Sequence, residues 1–277
     1  MNFGICIYFL TKRGTLGTMK LKKDTFYIYG KKPIEEQLMR SPANVIRIFI
    51  SDAVAGSSNE FQKLKEHAKK HNIPLNAISK HKIKEYVGDV NTQGILALIK
   101  KYEYSSFDEW EETLDTETLP AVLLLDGVED THNYGAILRT AAAVGVSAVI
   151  VAKDRQAPIN GTVFKTSAGA ALTIPVVQVS NINQTILKLQ KRKFWVAAVD
   201  MDEDHERQTI WNQEYTTPMA FVLGSEGKGV SQQTKEHADF IISIPMDNNI
   251  ESLNVSVAGA ITLYEWKRQM VALKNKK

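Results

Sequence analysis

The sequence predicts an α/β protein in two parts. One is a small N-terminal α/β domain, and the other is a larger C-terminal domain built on a mostly parallel sheet with helices on both faces. Three observations carry this prediction. After residue 120, short uninterrupted apolar runs alternate with helical segments; a briefer strand-helix alternation occupies residues 20–100; and an acidic stretch without apolar periodicity, residues 101–118, separates the two. A chain of 277 residues accommodates two domains, each long enough to bury a core without metal or disulfide help.

Residues 1–19 read as an N-terminal extension. Its apolar run FGICIYFL is too short to span a bilayer, Lys12 and Arg13 follow the run instead of preceding it, and no small-residue cleavage site comes after. Met19 opens a lysine-rich segment, MKLKKD, and is a candidate second start of translation. From Phe26 the order is strand FYIYG, helix PIEEQLMRS opening with Pro33, strand VIRIFIS, helix NEFQKLKEHAKKHN and strand GILALIK.

Residues 101–118 are expected to form the linker, with room for a short helix around 107–113. Beyond Pro120, AVLLLD and AVIVA flank a helix expected over 134–144. IPVVQV, FWVAAVD, AFVLG and FIISIP repeat the strand pattern, with INQTILKLQKRK and QQTKEHAD as intervening helices and a long amphipathic helix from Leu253 to about residue 273. Continuous apolar strands of this kind are buried on both faces, as parallel strands under crossover helices are. Ligands of such sheets bind at the carboxyl ends of the strands.

The single cysteine, Cys6, excludes an intramolecular disulfide and a cysteine-rich zinc site, which fits a reducing, cytoplasmic setting. The net charge of +3 is unevenly spread. Residues 20–100 hold 15 Lys and Arg against 8 Asp and Glu, residues 101–120 hold 1 against 7, and residues 121–277 hold 16 against 16. A basic N-terminal third is the footprint of a module that meets a polyanion, although a solvated lysine-rich surface gives the same count. His67 and His71 share a helix face, but with no further ligand in view they read as exposed helix positions and no metal is expected. No G-x-S-x-G nucleophile elbow and no P-loop are present.

Three segments set small and polar residues directly after apolar strands: LDGVEDTHNYGAILRTA (125–141), VLGSEGKGVS (222–231) and IPMDNNIESLNVSVA (244–258). In the first, Asn133 sits where a helix cap is expected, with Arg139 in the second turn beyond it. A cap is a structural role, whereas an arginine at the ligand end of a sheet suits bidentate recognition of phosphate. In the second, Gly224, Gly227 and Gly229 bracket Glu226 and Lys228, permitting close backbone approach to a ligand, and the carboxylate suits a partly cationic one. In the third, Ser252 or Asn254 marks a helix start.

In this order and spacing the motifs N-x-G-A-I-x-R-T-A, L-G-S-E-G-x-G and I-P-M…S-L-N-V-S-V-A resemble those of the SpoU, or TrmH-like, ribose 2′-O-methyltransferases of the SPOUT superfamily, over residues 121–272. The basic N-terminal unit is similar to the L30e-like substrate-binding domain of members that act on ribosomal RNA. The nearest resemblance is to those that methylate a guanosine in 23S rRNA. A tRNA ribose methyltransferase, an antibiotic-resistance rRNA methyltransferase and a noncatalytic ribosome-assembly protein are the alternatives.

The resemblance implies a deep C-terminal trefoil knot, a homodimer with active sites at the subunit interface, an RNA substrate and S-adenosylmethionine as methyl donor. It implies domains at 20–100 and 119–277. Leu223, Gly224, Gly227, Ile244, Met246, Leu253 and Asn254 fall at positions for holding the cofactor, and Asn133, Arg139, Glu226, Ser252 and Asn254 at catalytic positions. Arginine keeps its proton under nearly all conditions, so Arg139 is expected to bind the target phosphate and stabilise a developing alkoxide, aligned by Glu226, while Asn133 and Ser252 orient it.

Overall fold

The computed structural model describes residues 6–10, 16–20, 25–55, 61–201, 208–247 and 252–275. In the extension, β1 (Cys6–Leu10) and β2 (Leu16–Lys20) pair antiparallel as a separate two-stranded sheet. Lys12, Arg13 and most of the lysine-rich run after Met19 lie outside the described residues. The chain divides into two compact units, one of residues 1–103 with 160–172, the other of residues 104–159 with 173–277.

The first unit runs β3 (Thr25–Tyr29), α1 (Lys31–Arg40), β4 (Val45–Ser51), the single turn α2 (Asp52–Ala55), α3 (Gln62–Lys70), β5 (Leu75–Ile78), α4 (Lys80–Val87) and β6 (Ile95–Lys100). Its four strands stand in the order β3-β6-β4-β5, antiparallel except for the parallel pair β4–β5. Strand alternation builds two buried faces. On one, Tyr27 stacks on Tyr86 at 5.3 Å with Phe49 beside them. The opposite residues Ile28, Ile48 and Ile50 are fully buried as well. Two expectations need correction. Helix α1 begins at Lys31, so Pro33 is its third residue. The pair β5 and α4 had no sequence signal, because no residue of β5 is buried and only Ile83 and Tyr86 anchor α4.

The second unit contributes α5 (Phe107–Glu111), β7 (Ala121–Asp126), α6 (Thr131–Val144) and β8 (Ala148–Ala152). After the excursion α7 (Gly161–Thr166) come β9 (Val176–Val179), α8 (Ile182–Lys191), β10 (Trp195–Val199), β11 (Met219–Gly224), α9 (Gln232–His237), β12 (Phe240–Ile242) and α10 (Val255–Lys274). Its six strands are all parallel, in the order β12-β10-β11-β7-β8-β9. Val122, Leu124, Ile150, Val196 and Val222 face a core closed by Phe107, Ile186 and Leu189 from α5 and α8. The alternate residues Leu123, Leu125 and Phe221 are equally buried, and on that side α10 packs on α6 and β11. Helices therefore cover both faces, as the unbroken apolar strands require. The strand order reverses between β7 and β11, and at such a switch point the loops leaving neighbouring strands diverge and open a crevice.

The acidic segment expected as a linker is built into this unit from Tyr104 on. Ser105 pairs with the backbone of β9 through bonds of 3.0 and 3.1 Å, and Phe107 and Trp110 are buried in the core. Its acids have local partners: Glu109 closes a capping box with Ser106, and Glu111 accepts from Arg192 at 2.8 Å. Residues 160–172 pack instead with the first unit. There a Cβ on Gly161 would stand 2.3 Å from the Tyr27 carbonyl oxygen, so only glycine permits this approach to β3.

Helix α10 is tied to the chain before β11 through the Gln269 amide, which the Glu265 carboxylate holds in place. Glu265 accepts from Arg268 Nε and Nη2 and from Gln269 Nε2, each at 2.8 Å, and Gln269 also bonds the backbone of Gln213 and Tyr215. The Arg268 guanidinium, with Gln269 adding to it, holds the Glu265 carboxyl below the ordinary glutamate range against the opposing effect of burial. A carboxyl lowered in the folded state stabilises above its unfolded value, and that contribution is lost as pH falls through the folded value. Glu265→Gln is expected to destabilise by about 1–2 kcal/mol at neutral pH. In thermal unfolding followed against pH, its gap from wild type should close below about pH 4.

Candidate active site

The loop after β7 turns at Gly127, where φ is 90°, and reaches Asp130, whose side chain accepts from Asn133 N at 2.7 Å and caps α6. Asn133 is therefore the third residue of the helix and not its cap, and Arg139 falls in the third turn, correcting both expectations. Asp130 and Asn133 are both good caps, and the apolar spacing from Tyr134 does not choose between them. With its backbone N–H satisfied by Asp130, Asn133 has its side chain available for other partners.

The loop after β11 is a tight reversal. Ser225 N donates to Gly229 O and Gly229 N to Ser225 O, both at 3.0 Å, leaving Glu226, Gly227 and Lys228 at the tip. Gly227 and Gly229 have φ of 78° and 66°, which favour glycine. At Gly224 the constraint is space, because a Cβ would stand 1.9 Å from the Gly229 carbonyl carbon. The third segment leaves β12 through Ile244 and Met246. Residues 248–251 lie outside the described residues, and the chain resumes at Ser252, Leu253 and Asn254. Asn254 is the cap of α10, its Oδ1 accepting from Ser256 N at 2.9 Å and Ser256 Oγ at 2.6 Å.

These three segments, separated widely in the chain, meet. Asn133 Nδ2 donates to Glu226 Oε1, and Asn254 Nδ2 donates to Asn133 Oδ1 at 3.0 Å. The second and third segments and the end of β10 line a cleft of about 510 Å³. Leu223, Gly224, Glu226, Gly227, Ile244, Met246, Ser252, Leu253 and Asn254 all line it. Asn133 joins its rim through the two hydrogen bonds. Arg139 is exposed on α6 and is not among the lining residues, and the carboxylate expected to align it is engaged by Asn133.

Val199, Asp200 and Met201 also line the cleft, and sequence reading missed them. A signal was present: FWVAAVD ends on an aspartate at a strand terminus just as AVLLLD does. Among the described residues no three or more His, Cys, Asp or Glu gather as a metal site, and no helix is long and apolar enough to cross a membrane.

A parallel sheet with a cleft at the carboxyl ends of β10 and β11, walled by main chain and apolar side chains and edged by amides and a carboxylate, is the arrangement of α/β proteins that take a ligand at the carboxyl ends of their strands. The comparisons narrow this class. Residues 120–264 match the model of the SpoU rRNA Methylase family, and residues 27–105 match that of RNA 2′-O ribose methyltransferase substrate binding. The chain is 38% identical over 242 residues to the 23S rRNA (guanosine-2′-O-)-methyltransferase RlmB of Pectobacterium atrosepticum, covering 87% of this chain and 97% of that protein. It is equally 38% identical, over 247 residues, to RlmB of Pseudomonas aeruginosa, covering 89% of this chain and 97% of the relative. Its fold matches the SpoU methyltransferase AviRb from Streptomyces viridochromogenes, solved in complex with AdoMet, at a TM-score of 0.72 and 20% identity over 90% of this chain and 91% of that one. The protein belongs to the SpoU rRNA methylase family.

If Asn133 couples Glu226 to Asn254, the first substitution breaks the set and the second adds little. Asn133→Ala and Glu226→Gln are each expected to lower methyl transfer about 100-fold, and the double variant to fall no further than about threefold below the worse single one. Multiplicative losses in a double-mutant cycle would show the two residues to act independently.

Proposed function

We propose that the protein transfers a methyl group from S-adenosylmethionine to the ribose 2′-oxygen of a guanosine in 23S rRNA. The observation that carries this reading is the rim on which Asn133 holds Glu226 and Asn254 together over a single cleft. The cleft fits the donor. Leu223, Ile244, Met246 and Leu253 would supply apolar surface and main-chain groups for an adenosine, and the Glu226 carboxylate adds a negative charge to the lining that would favour a cationic donor. The AdoMet complex of AviRb, on the same fold, supports this choice.

When bound, S-adenosylmethionine supplies an electrophilic methyl carbon and a neutral leaving group, so we assign no metal to the reaction. The chain's residues have to place a ribose hydroxyl in line and assist loss of its proton. Asn133 and Ser252 orient the sugar oxygen at the rim. The capped N-termini of α6 and α10, joined there by Asn133 and Asn254, favour the adjacent phosphate.

Arg139 lies outside the cleft of its own chain, which supports a homodimer with shared sites, in which the partner subunit's Arg139 binds the target phosphate and stabilises the developing alkoxide. An exposed apolar line on α10, Val257, Tyr264 and Val271 at seven-residue spacing, supports the same contact. We further propose that the basic first unit is an L30e-like RNA-binding domain, that the division between the domains follows residue 103, and that the protein works in the cytoplasm beside its ribosomal substrate. A deep trefoil knot is supported by the return of the chain from edge strand β12, past the ends of β10 and β11, to pack α10 on α6.

Methyl-labelled S-adenosylmethionine incubated with the protein and 23S rRNA is expected to mark one 2′-O-methylguanosine in mapping by mass spectrometry. Label confined to tRNA, or none, overturns the reading. In a mixture of Arg139→Ala and Glu226→Gln proteins allowed to exchange subunits, heterodimers retain one intact cleft if Arg139 acts across the interface. Activity should then recover to roughly a quarter of wild type, and no recovery places Arg139 with its own chain's site.

A further inference from the structure

The cleft is bounded by one carboxylate that belongs to none of the three motif segments. Asp200 directly follows β10, and its side chain is only 15% exposed. Its Oδ1 accepts from Met201 N at 2.7 Å, and its Oδ2 accepts from Val230 N at 2.9 Å and from Lys235 Nζ at 2.9 Å. The Lys235 side chain, on α9, is itself only 19% exposed. Two of these three donors belong to the chain that leaves the Ser225–Gly229 reversal. The carboxylate also sits directly on that reversal, since a Cβ on Gly229 would stand 2.7 Å from Oδ2.

The mechanical consequence follows from the hydrogen bonds. The reversal is closed on itself by the Ser225 and Gly229 pair, so it moves as one piece. At its entry Gly224 continues β11, while at its exit Val230 is fastened to Asp200. The piece held between those anchors presents the main-chain wall from Gly224 to Gly227 and carries Glu226 to Asn133. A partly buried ion pair that also receives main-chain N–H groups fixes position more tightly than an exposed pair, because both charges are held by several partners.

We propose that Asp200, clamped by Lys235, is a positioning residue that holds the 225–229 reversal in the shape that receives S-adenosylmethionine. The inference rests on the cofactor reading above. Asp200 acts through the loop, so its loss weakens cofactor binding more than it slows the chemical step. Asp200→Asn keeps the shape but abolishes the ion pair and turns an N–H₂ toward a backbone N–H.

The experiment is isothermal titration of the full chain with S-adenosylmethionine in the presence of 23S rRNA, with steady-state kinetics on the same proteins. For Asp200→Asn the Kd and KM for the cofactor should rise about tenfold or more, while kcat at saturating cofactor falls by less than about threefold and RNA affinity is unchanged. Lys235→Met should shift the same constants in the same direction by about threefold, and it decides the question if Asp200→Asn does not fold. Wild-type cofactor affinity in the folded variants, or a loss of kcat with an unchanged KM, overturns the positioning role alone. A wild-type protein that binds no S-adenosylmethionine with RNA present overturns both this role and the reading on which it rests.

Discussion

The side-chain amide of Asn133 spends its donor on Glu226 and its acceptor on Asn254, partners 93 and 121 residues away in the chain. Both bonds are needed at once, and only a group with a donor and an acceptor on one rigid plane makes them: an aspartate has no hydrogen to offer the carboxylate, and a leucine offers neither. Asn254 is under the same pressure, because its oxygen already serves the first turn of α10 and only its N–H₂ remains for Asn133. The order of the rim thus depends on amides whose every polar atom has a place to be, which is why small displacements of any one loop are felt by the other two.

What makes this meeting possible is hydrophobic burial in the sheet. Leu123, Leu124 and Leu125 of β7 and Phe221 and Val222 of β11 are fully buried, so the two strands are held by core packing on both faces. Because they are parallel neighbours, in register from Ala121 with Met219 to Asp126 with Gly224, their carboxyl ends emerge at the same height. The first and second motif loops are adjacent for that reason alone. The third arrives because α10 packs on α6 and β11, with Gly259 allowing the Leu223 side chain to approach: a Cβ there would stand 2.7 Å from Leu223 Cδ1. The close fit of Gly224 to Gly229 and of Gly229 to Asp200 is affordable only on so rigid a base.

Most of the second unit was legible in its sequence, since doubly buried parallel strands leave continuous apolar runs that no polar alternation blurs. Legibility failed where a different force acted. The pair β5 and α4 buries too little to leave a pattern, and the acidic segment after residue 103 has only two buried side chains, Phe107 and Trp110, too few anchors for a period to emerge. The excursion through α7 depends on the missing Cβ of Gly161 against β3, a fact of tertiary approach. Among site residues, those embedded in the three motifs all reached the cleft or its rim except Arg139. Asp200 escaped notice because a lone acid after a strand becomes informative only once Val230 and Lys235 are seen to converge on it.

The cleft is lined by glycine main chain, apolar side chains and a few polar groups. For a transfer whose leaving group is already activated such a lining is no deficiency. A methyl carbon bonded to a sulfonium needs an oxygen brought in line and held there, and effective concentrations gained by orientation alone reach many orders of magnitude. The physical demand on the protein is therefore for stiffness at the sub-ångström level, and the site answers it with main chain and amides where other enzymes place reactive side chains. Glycines bring the backbone close, a buried sheet sets the height of the loops, and carboxylates such as Glu226 and Asp200 are occupied in holding neighbours.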